Sequence, residues 1–164
     1  MNGLAAGDLF GSSVAGVGDV DGDGLDDFFV GARQQVIGPG AGYATVFSGA
    51  TGLPLPNLSL TGLAAGDQFG RAVAGAGDVN GDGVPDLIVG APLADPGGLS
   101  SAGQVTVFSG ATGAALPGLT LNGSTPGASF GHSVATRGIP TVMACRISSS
   151  GPPTSVSLAT AWVK

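Results

Sequence analysis

Residues 4–32 read LAAGDLFGSSVAGVGDVDGDGLDDFFVGA, and residues 63–91 read LAAGDQFGRAVAGAGDVNGDGVPDLIVGA. The two segments align without a gap, from Leu4 on Leu63 to Ala32 on Ala91. The match resumes downstream, where YATVFSGATG from Tyr43 is answered by QVTVFSGATG from Gln104, at a slightly larger spacing because the second intervening loop is longer. A third copy opens at Phe130, where FGHSVA parallels FGRAVA from Phe69. Self-similarity at a fixed period is the mark of a repeat architecture, in which each unit buries its apolar face only against a neighbour.

Each unit divides into four short strands. In the first unit these are FGSSVAG from Phe10, FFVGA from Phe28, YATVFSG from Tyr43 and a stretch at 55–60; the fourth strand of the second unit lies at 116–121. In the third strand Tyr43, Thr45 and Phe47 alternate with Ala44 and Val46, as a sheet with two distinct faces requires. SGATG, at 48–52 and again at 109–113, is a turn cluster between strands three and four. Four strands per unit, at a period somewhat above the ~40–45 residues of the commonest propeller repeat, suggest one blade of a β-propeller each. Gly and Ala crowd the first strand, where sheets converging on an axis leave room only for small side chains. Helix is poorly supported, since the chain has no Glu and one Lys, Lys164. The expected fold is therefore all-β, a partial propeller of four-stranded antiparallel blades. Its blades span 1–62 and 63–123, a third begins over 124–137, and an aberrant tail follows over 138–164.

Composition narrows the function. Net charge is −6, and all eleven acidic residues are Asp. Five of them fall between positions 19 and 27 and three between 78 and 86, a crowding of like charge that is costly without a cation among them. The acidic balance argues against nucleic acid, which needs a basic face. No apolar run approaches the ~18 residues of a membrane span. MNGLAAGDLFG at the start has neither the basic nor the apolar region of a signal peptide. Cys145 is the single cysteine and has no internal disulfide partner.

The chemistry lies in Asp19-Val20-Asp21-Gly22-Asp23-Gly24-Leu25-Asp26-Asp27 and its counterpart Asp78-Val79-Asn80-Gly81-Asp82-Gly83-Val84-Pro85-Asp86. Side-chain oxygens fall at loop positions one, three, five and nine, and Gly at six. Calcium takes six to eight oxygen ligands, and Gly at six permits the sharp turn around the ion. The expected ligands are Asp19, Asp21, Asp23, the Leu25 carbonyl and Asp27 in the first loop. In the second they are Asp78, Asn80, Asp82, the Val84 carbonyl and Asp86. Each loop is thus expected to hold one Ca²⁺. An EF-hand is excluded: it needs a bidentate Glu at position twelve, where this chain has Val30 and Val89 inside apolar strands. Asp and Gly also dominate bare turns, but a bare turn does not need four oxygens at one spacing, twice. Asp26, opposite Pro85, is read as solvated, and Asp8 and Asp67 as turn residues. His132 stands at the strand position of Ser12 and Arg71 and is read as an exposed strand residue rather than a catalytic base. Arg33 and Arg71 are read as isolated. The loop at 38–42 precedes no helix, so it is not a phosphate cradle.

With Phe10-Gly11 and Phe69-Gly70 before the aspartate loops and Gly90-Ala91-Pro92 after the second, the chain resembles the FG-GAP repeat family of integrin α-subunit propellers and of many bacterial surface and secreted proteins. The resemblance covers about 4–136, and repeat one departs from it with Gly31-Ala32-Arg33. It implies structural calcium in the hairpin loops, usually seven blades, and a role in adhesion or ligand recognition. The expectation is therefore a fragment of a non-catalytic, calcium-binding recognition module whose parent is secreted or at the cell surface. Its partner would be a protein or glycan ligand, with no nucleic acid and no membrane insertion. The open blade faces would favour self-association. The alternatives are the accessory propeller of a larger secreted or surface enzyme such as a hydrolase, and a truncated product with no function of its own.

The match to repeat two stops after Ala135. Back-translation of the tail, regrouped one nucleotide earlier, permits GDTDGDGVPDL and then VGAP, which restores repeat two in register with Ile139 where Asp78 stands. The tail thus reads as a frameshifted third repeat that has lost its metal loop, with Cys145 and Trp162 as accidents. Residues beyond about 137 are expected to form no proper blade strand pair.

Overall fold

The computed structural model describes residues 3–4, 7–34, 40–136, 145–148 and 156–157, with side chains described as far as 135. Strand β1 (Phe10–Gly18) runs into the first aspartate loop, and β2 (Asp27–Ala32) returns from it. β3 (Tyr43–Phe47) and β4 (Pro54–Thr61) complete an antiparallel sheet of order β1-β2-β3-β4. β5 (Ala72–Gly77), β6 (Asp86–Ala91), β7 (Gln104–Phe108) and β8 (Ala115–Asn122) repeat it. Register repeats as well: Val14 faces Val30 as Val73 faces Val89, and Phe28 faces Phe47 as Leu87 faces Phe108. A bulge sits in both copies just before the first strand meets the closing aspartate, between Gly16 and Gly18 and between Gly75 and Gly77. The helical content among the described residues is one 3₁₀ turn, Pro96–Gly98. The fold is all-β, two four-stranded blades of a propeller that does not close.

Stacking of blade on blade explains the glycines. A Cβ on Gly31 would collide with the carbonyl oxygen of Gly70, and one on Gly90 with that of Gly131. The Phe-Gly turn of each blade therefore seats on the Gly-Ala strand end of the blade before it. The innermost strands also approach closely, for a Cβ on Gly75 would lie 3.0 Å from Val17 Cα. The Val73 amide donates to Ser13 Oγ at 3.1 Å across the same seam. Between the blades, Phe29, Val46, Leu58 and Leu60 of the first pack with Phe69, Val73, Leu87 and Val89 of the second. Phe29 and Leu87 are wholly buried, each contributing about 1.5–3 kcal/mol of transfer free energy. The far face of blade two, with Ile88, Val105 and Val107, meets Phe130 and Val134 of the third unit.

The third unit departs from expectation. β9 (Ser133–Thr136) pairs antiparallel with β10 (Cys145–Ser148), and β10 with β11 (Val156–Ser157). Residues beyond 137 thus do form a strand pair. Backbone pairing does not depend on side-chain identity, so a sequence without the repeat's pattern still completes the ladder on β9. The register differs, however. Ser133 faces Ser148, whereas its counterpart Ala72 faces Gly90, so the third hairpin encloses a shorter stretch of chain than the second. Ile139 and Trp162 lie outside the described residues, as do positions 38 and 39 of the glycine-rich loop.

Candidate metal centre

Both aspartate loops connect the first two strands of a blade, and their backbones are wound by their own carboxylates. Asp19 accepts from the Gly22 amide (2.7 Å) and the Gly24 amide (2.9 Å). Asp78 accepts in the same way from Gly81 (2.7 Å) and Gly83 (2.9 Å). Asp21 accepts from the Asp23 amide at 3.1 Å, as the Asn80 side-chain oxygen does from Asp82 at 2.8 Å. Asp23 and Asp82 accept from Leu25 and Val84, each at 2.9 Å. At position six Gly24 and Gly83 both take φ of +88°, a conformation that glycine adopts without Cβ strain.

The closing aspartates are the deepest groups in the loops. Asp27 is 1% and Asp86 0% exposed, each the first residue of its strand. Asp27 Oδ2 accepts from the amides of Val20 (2.9 Å) and Asp21 (3.3 Å), and Oδ1 from Gly49 (2.9 Å). Asp86 repeats this with Val79 (2.8 Å), Asn80 (3.2 Å) and Gly110 (3.1 Å). The Gly49 and Gly110 donors come from the SGATG turns, which sequence reading treated as turns only. Their verbatim recurrence was the signal that could have found them. Neither glycine tolerates a side chain, since a Cβ would strike the carbonyl of Asp26 or Pro85.

Among the described residues, Asp19, Asp21 and Asp27 form a group of carboxylates whose oxygens lie within 4.8 Å of one another. Asp23 stands outside that group. Loss of hydration first, then the charges of Asp27, Asp23 and Asp19, raise the Asp21 carboxyl above its ordinary proton affinity, against the opposing amide of Asp23. Burial likewise raises Asp86, against the amides of Val79, Gly110 and Asn80, with Asp82 adding to the rise. In the second loop Asn80 replaces one carboxylate, and its Nδ2 donates to Asp82 at 2.9 Å. A donor set made wholly of hard oxygens on a glycine-hinged loop fits calcium.

Residues outside the loops fall as follows. Asp26 is exposed, in keeping with a solvated side chain. Asp8 is more than a turn residue, being buried and accepting from the Tyr43 hydroxyl (2.7 Å) and the Phe10 amide (3.1 Å). His132 is exposed, just ahead of β9. Arg71 is not isolated, because its guanidinium donates to His132 Nε2 at 2.8 Å. Those positions are 61 residues apart, and only the stacking of successive blades brings them together.

The FG-GAP repeat matches residues 10–47 and 69–108, each span running from the Phe-Gly turn through the aspartate loop to the third strand. Human integrin α-IIb is 38% identical over 137 residues, covering 76% of this chain. Integrin α-5 of Xenopus laevis is 37% identical over 134 residues, covering 79%, and integrin α-V of Gallus gallus 39% identical over 132 residues, covering 78%. The chain spans 12–13% of the length of these relatives.

Proposed function

This chain belongs to the FG-GAP repeat family, and from that premise we propose that it is a non-catalytic recognition module whose blades, 1–62 and 63–123, are each braced by one calcium ion. The observation that carries the reading is the convergence of Asp19, Asp21 and Asp27 at the end of a hairpin in a net-acidic chain. A bound calcium would neutralise the repulsion within each loop. The chain's own residues would do the rest. Asp19 and Asp78 hold the loop turns through the glycine amides, and Asp27 and Asp86 tie the loop to the SGATG turn, so loop and blade edge form one rigid unit. The ligands of the first site would be Asp19, Asp21, Asp23, the Leu25 carbonyl and Asp27. Those of the second would be Asp78, Asn80, Asp82, the Val84 carbonyl and Asp86.

Similarity to integrin α subunits supports a place at the cell surface or outside the cell, with a protein or glycan as the recognised partner. Calorimetric titration of the chain with calcium tests the metal reading. Two ions are expected, the first site being the tighter because it holds four carboxylates against three. Zero stoichiometry, or unchanged binding in Asp23→Ala/Asp82→Ala, refutes it. Calcium should also raise the melting temperature, as any ligand of the folded state alone must.

A further inference from the structure

The ends of the blades opposite the aspartate loops carry Arg33, Arg71 and His132 as well as the carboxylates of Asp8 and Asp67. In the β1–β2 hairpin Phe10 faces Ala32 at one end and Gly18 faces Asp27 at the other, so Ser12 and Arg33 sit at the end away from the metal loop. Ser12, Arg71 and His132 occupy the same place in three successive units. The same turn holds each: their amides donate to Leu9, Gln68 and Ser129 carbonyls at 3.0, 3.0 and 3.1 Å. The residues at those carbonyls, and Gly11, Gly70 and Gly131 after them, all take positive φ. The first strands, at whose start they lie, pack side by side along the inner edge of the array, so these residues form a row along its rim.

Arg33 joins the row from the end of β2, where its amide donates to Ser12 Oγ at 3.3 Å. It stands where repeat two has Pro92, so the cation appears at the point of departure between the two copies. Arg71 donates to His132 Nε2 at 2.8 Å, which leaves the other guanidinium donors available. Burial first, then the charge of Arg33, lowers the proton affinity of Arg71; burial, then Arg71 and Arg33, lowers that of His132. Among the described residues no carboxylate contributes to either shift, in a chain with eleven Asp and net charge −6. Arg71 thus meets the chain's single histidine directly and the charge of Arg33 acts on both, while Asp8, at the same end, is engaged by the Tyr43 hydroxyl and the Phe10 amide.

The geometry points to an oxyanion site at Arg33, Arg71 and His132, on the rim opposite the calcium loops, that takes a carboxylate of a partner. Arg71 offers the planar fork that matches a carboxylate, Arg33 adds charge, and His132 becomes a cation when it protonates at Nε2, giving up the bond that nitrogen accepts from Arg71 and freeing the fork for the ligand. This goes beyond the recognition reading by naming the ligand chemistry, and no step of it involves calcium.

His132 is the only histidine, so its imidazole resonances in NMR are unambiguous, and their pH titration reads the site directly. At constant ionic strength, with chloride as reference, acetate and a tri-glutamate peptide should raise the His132 titration midpoint by about half a unit or more, because a bound anion favours the imidazolium. Inorganic phosphate forms a separate arm. The rise should vanish in Arg33→Gln/Arg71→Gln and shrink in Arg71→Lys, which keeps the charge but not the fork. No rise with any oxyanion, or an equal rise in the double variant, overturns the site. A rise with phosphate alone overturns the carboxylate assignment. Calorimetry with calcium reads the metal loops separately, so failure of either reading is distinguishable from failure of the other.

Discussion

Val14 and Val73 are the same residue at the same place in the same strand of two nearly identical blades, yet Val14 is 67% exposed and Val73 5%. The contrast recurs nearby. Phe69 is buried between blades, whereas Phe10 is only half-buried, against Tyr43 and Phe47 of its own sheet. A Cβ on Gly70 would strike the Tyr43 carbonyl, and one on Gly11 would meet open space although φ is +84° there. Phe10, Val14, Phe28 and Val30 together line an open apolar hollow on blade one. Each blade is therefore built from within, but its leading face is buried only by the blade before it. The aspartate loops show the reverse. Asp27 and Asp86 take every amide from their own blade, and they are equally buried and equally bonded.

The largest effect expected from this contrast is at the aromatic pair. Phe69→Ala should cost about 3–5 kcal/mol in denaturant unfolding, and Phe10→Ala clearly less, since its ring already faces solvent in part. Equal costs would mean that blade one has its leading face covered in solution, as self-association through that face would produce. Sedimentation at several concentrations would then show it.

The loop pair should behave symmetrically. Asp27→Ala and Asp86→Ala each strip the acceptor from three amides, at about 2–3 kcal/mol apiece in chelator. A difference of more than about 1 kcal/mol, beyond the usual scatter of additive sites, would break the view that each loop is complete within its blade.

The smallest effect is in pH dependence. His132 has its proton affinity lowered in the folded state by burial, then by Arg71 and Arg33. Its contribution to stability is then full above the ordinary histidine value near 6.5 and is lost as pH falls through the lower folded value. Thermal melts in a non-binding buffer should show a shallow loss of stability from about pH 6.5 downward. His132→Gln should flatten it, and an unchanged slope would show that the imidazole is not held by the arginines.

The element types were legible because period-two alternation and turn clusters are local signals. YATVF and QVTVF are strands in the structure for the reason the sequence offered. The placing of the loop carboxylates was legible for the same reason, since one-three-five-nine spacing is a property of a short contiguous segment. What was not legible runs between units. The recurrence of SGATG marks the turn as required, but that its glycine amide holds an aspartate 22 or 24 residues away is set by the fold. Arg71 looked isolated because its partner lies 61 residues on. The strand pairing of 145–148 escaped as well, because a ladder made by backbone groups leaves no trace in side-chain pattern.

The sequence by itself determined the repeat, the four strands of each blade, the placing of the glycines and the spacing of the oxygen-bearing side chains in both loops. All of these are set by short-range stereochemistry: φ preferences, alternation across a pleat and the spacing of side chains along one turn. Only the tertiary structure decided which copy of each apolar face is buried, which glycines a neighbouring carbonyl makes indispensable, and that Arg71 and His132 meet on one rim. Those outcomes depend on the stacking of one blade on the next, and two blades of nearly identical sequence differ in them because only one has a blade packed against its leading face.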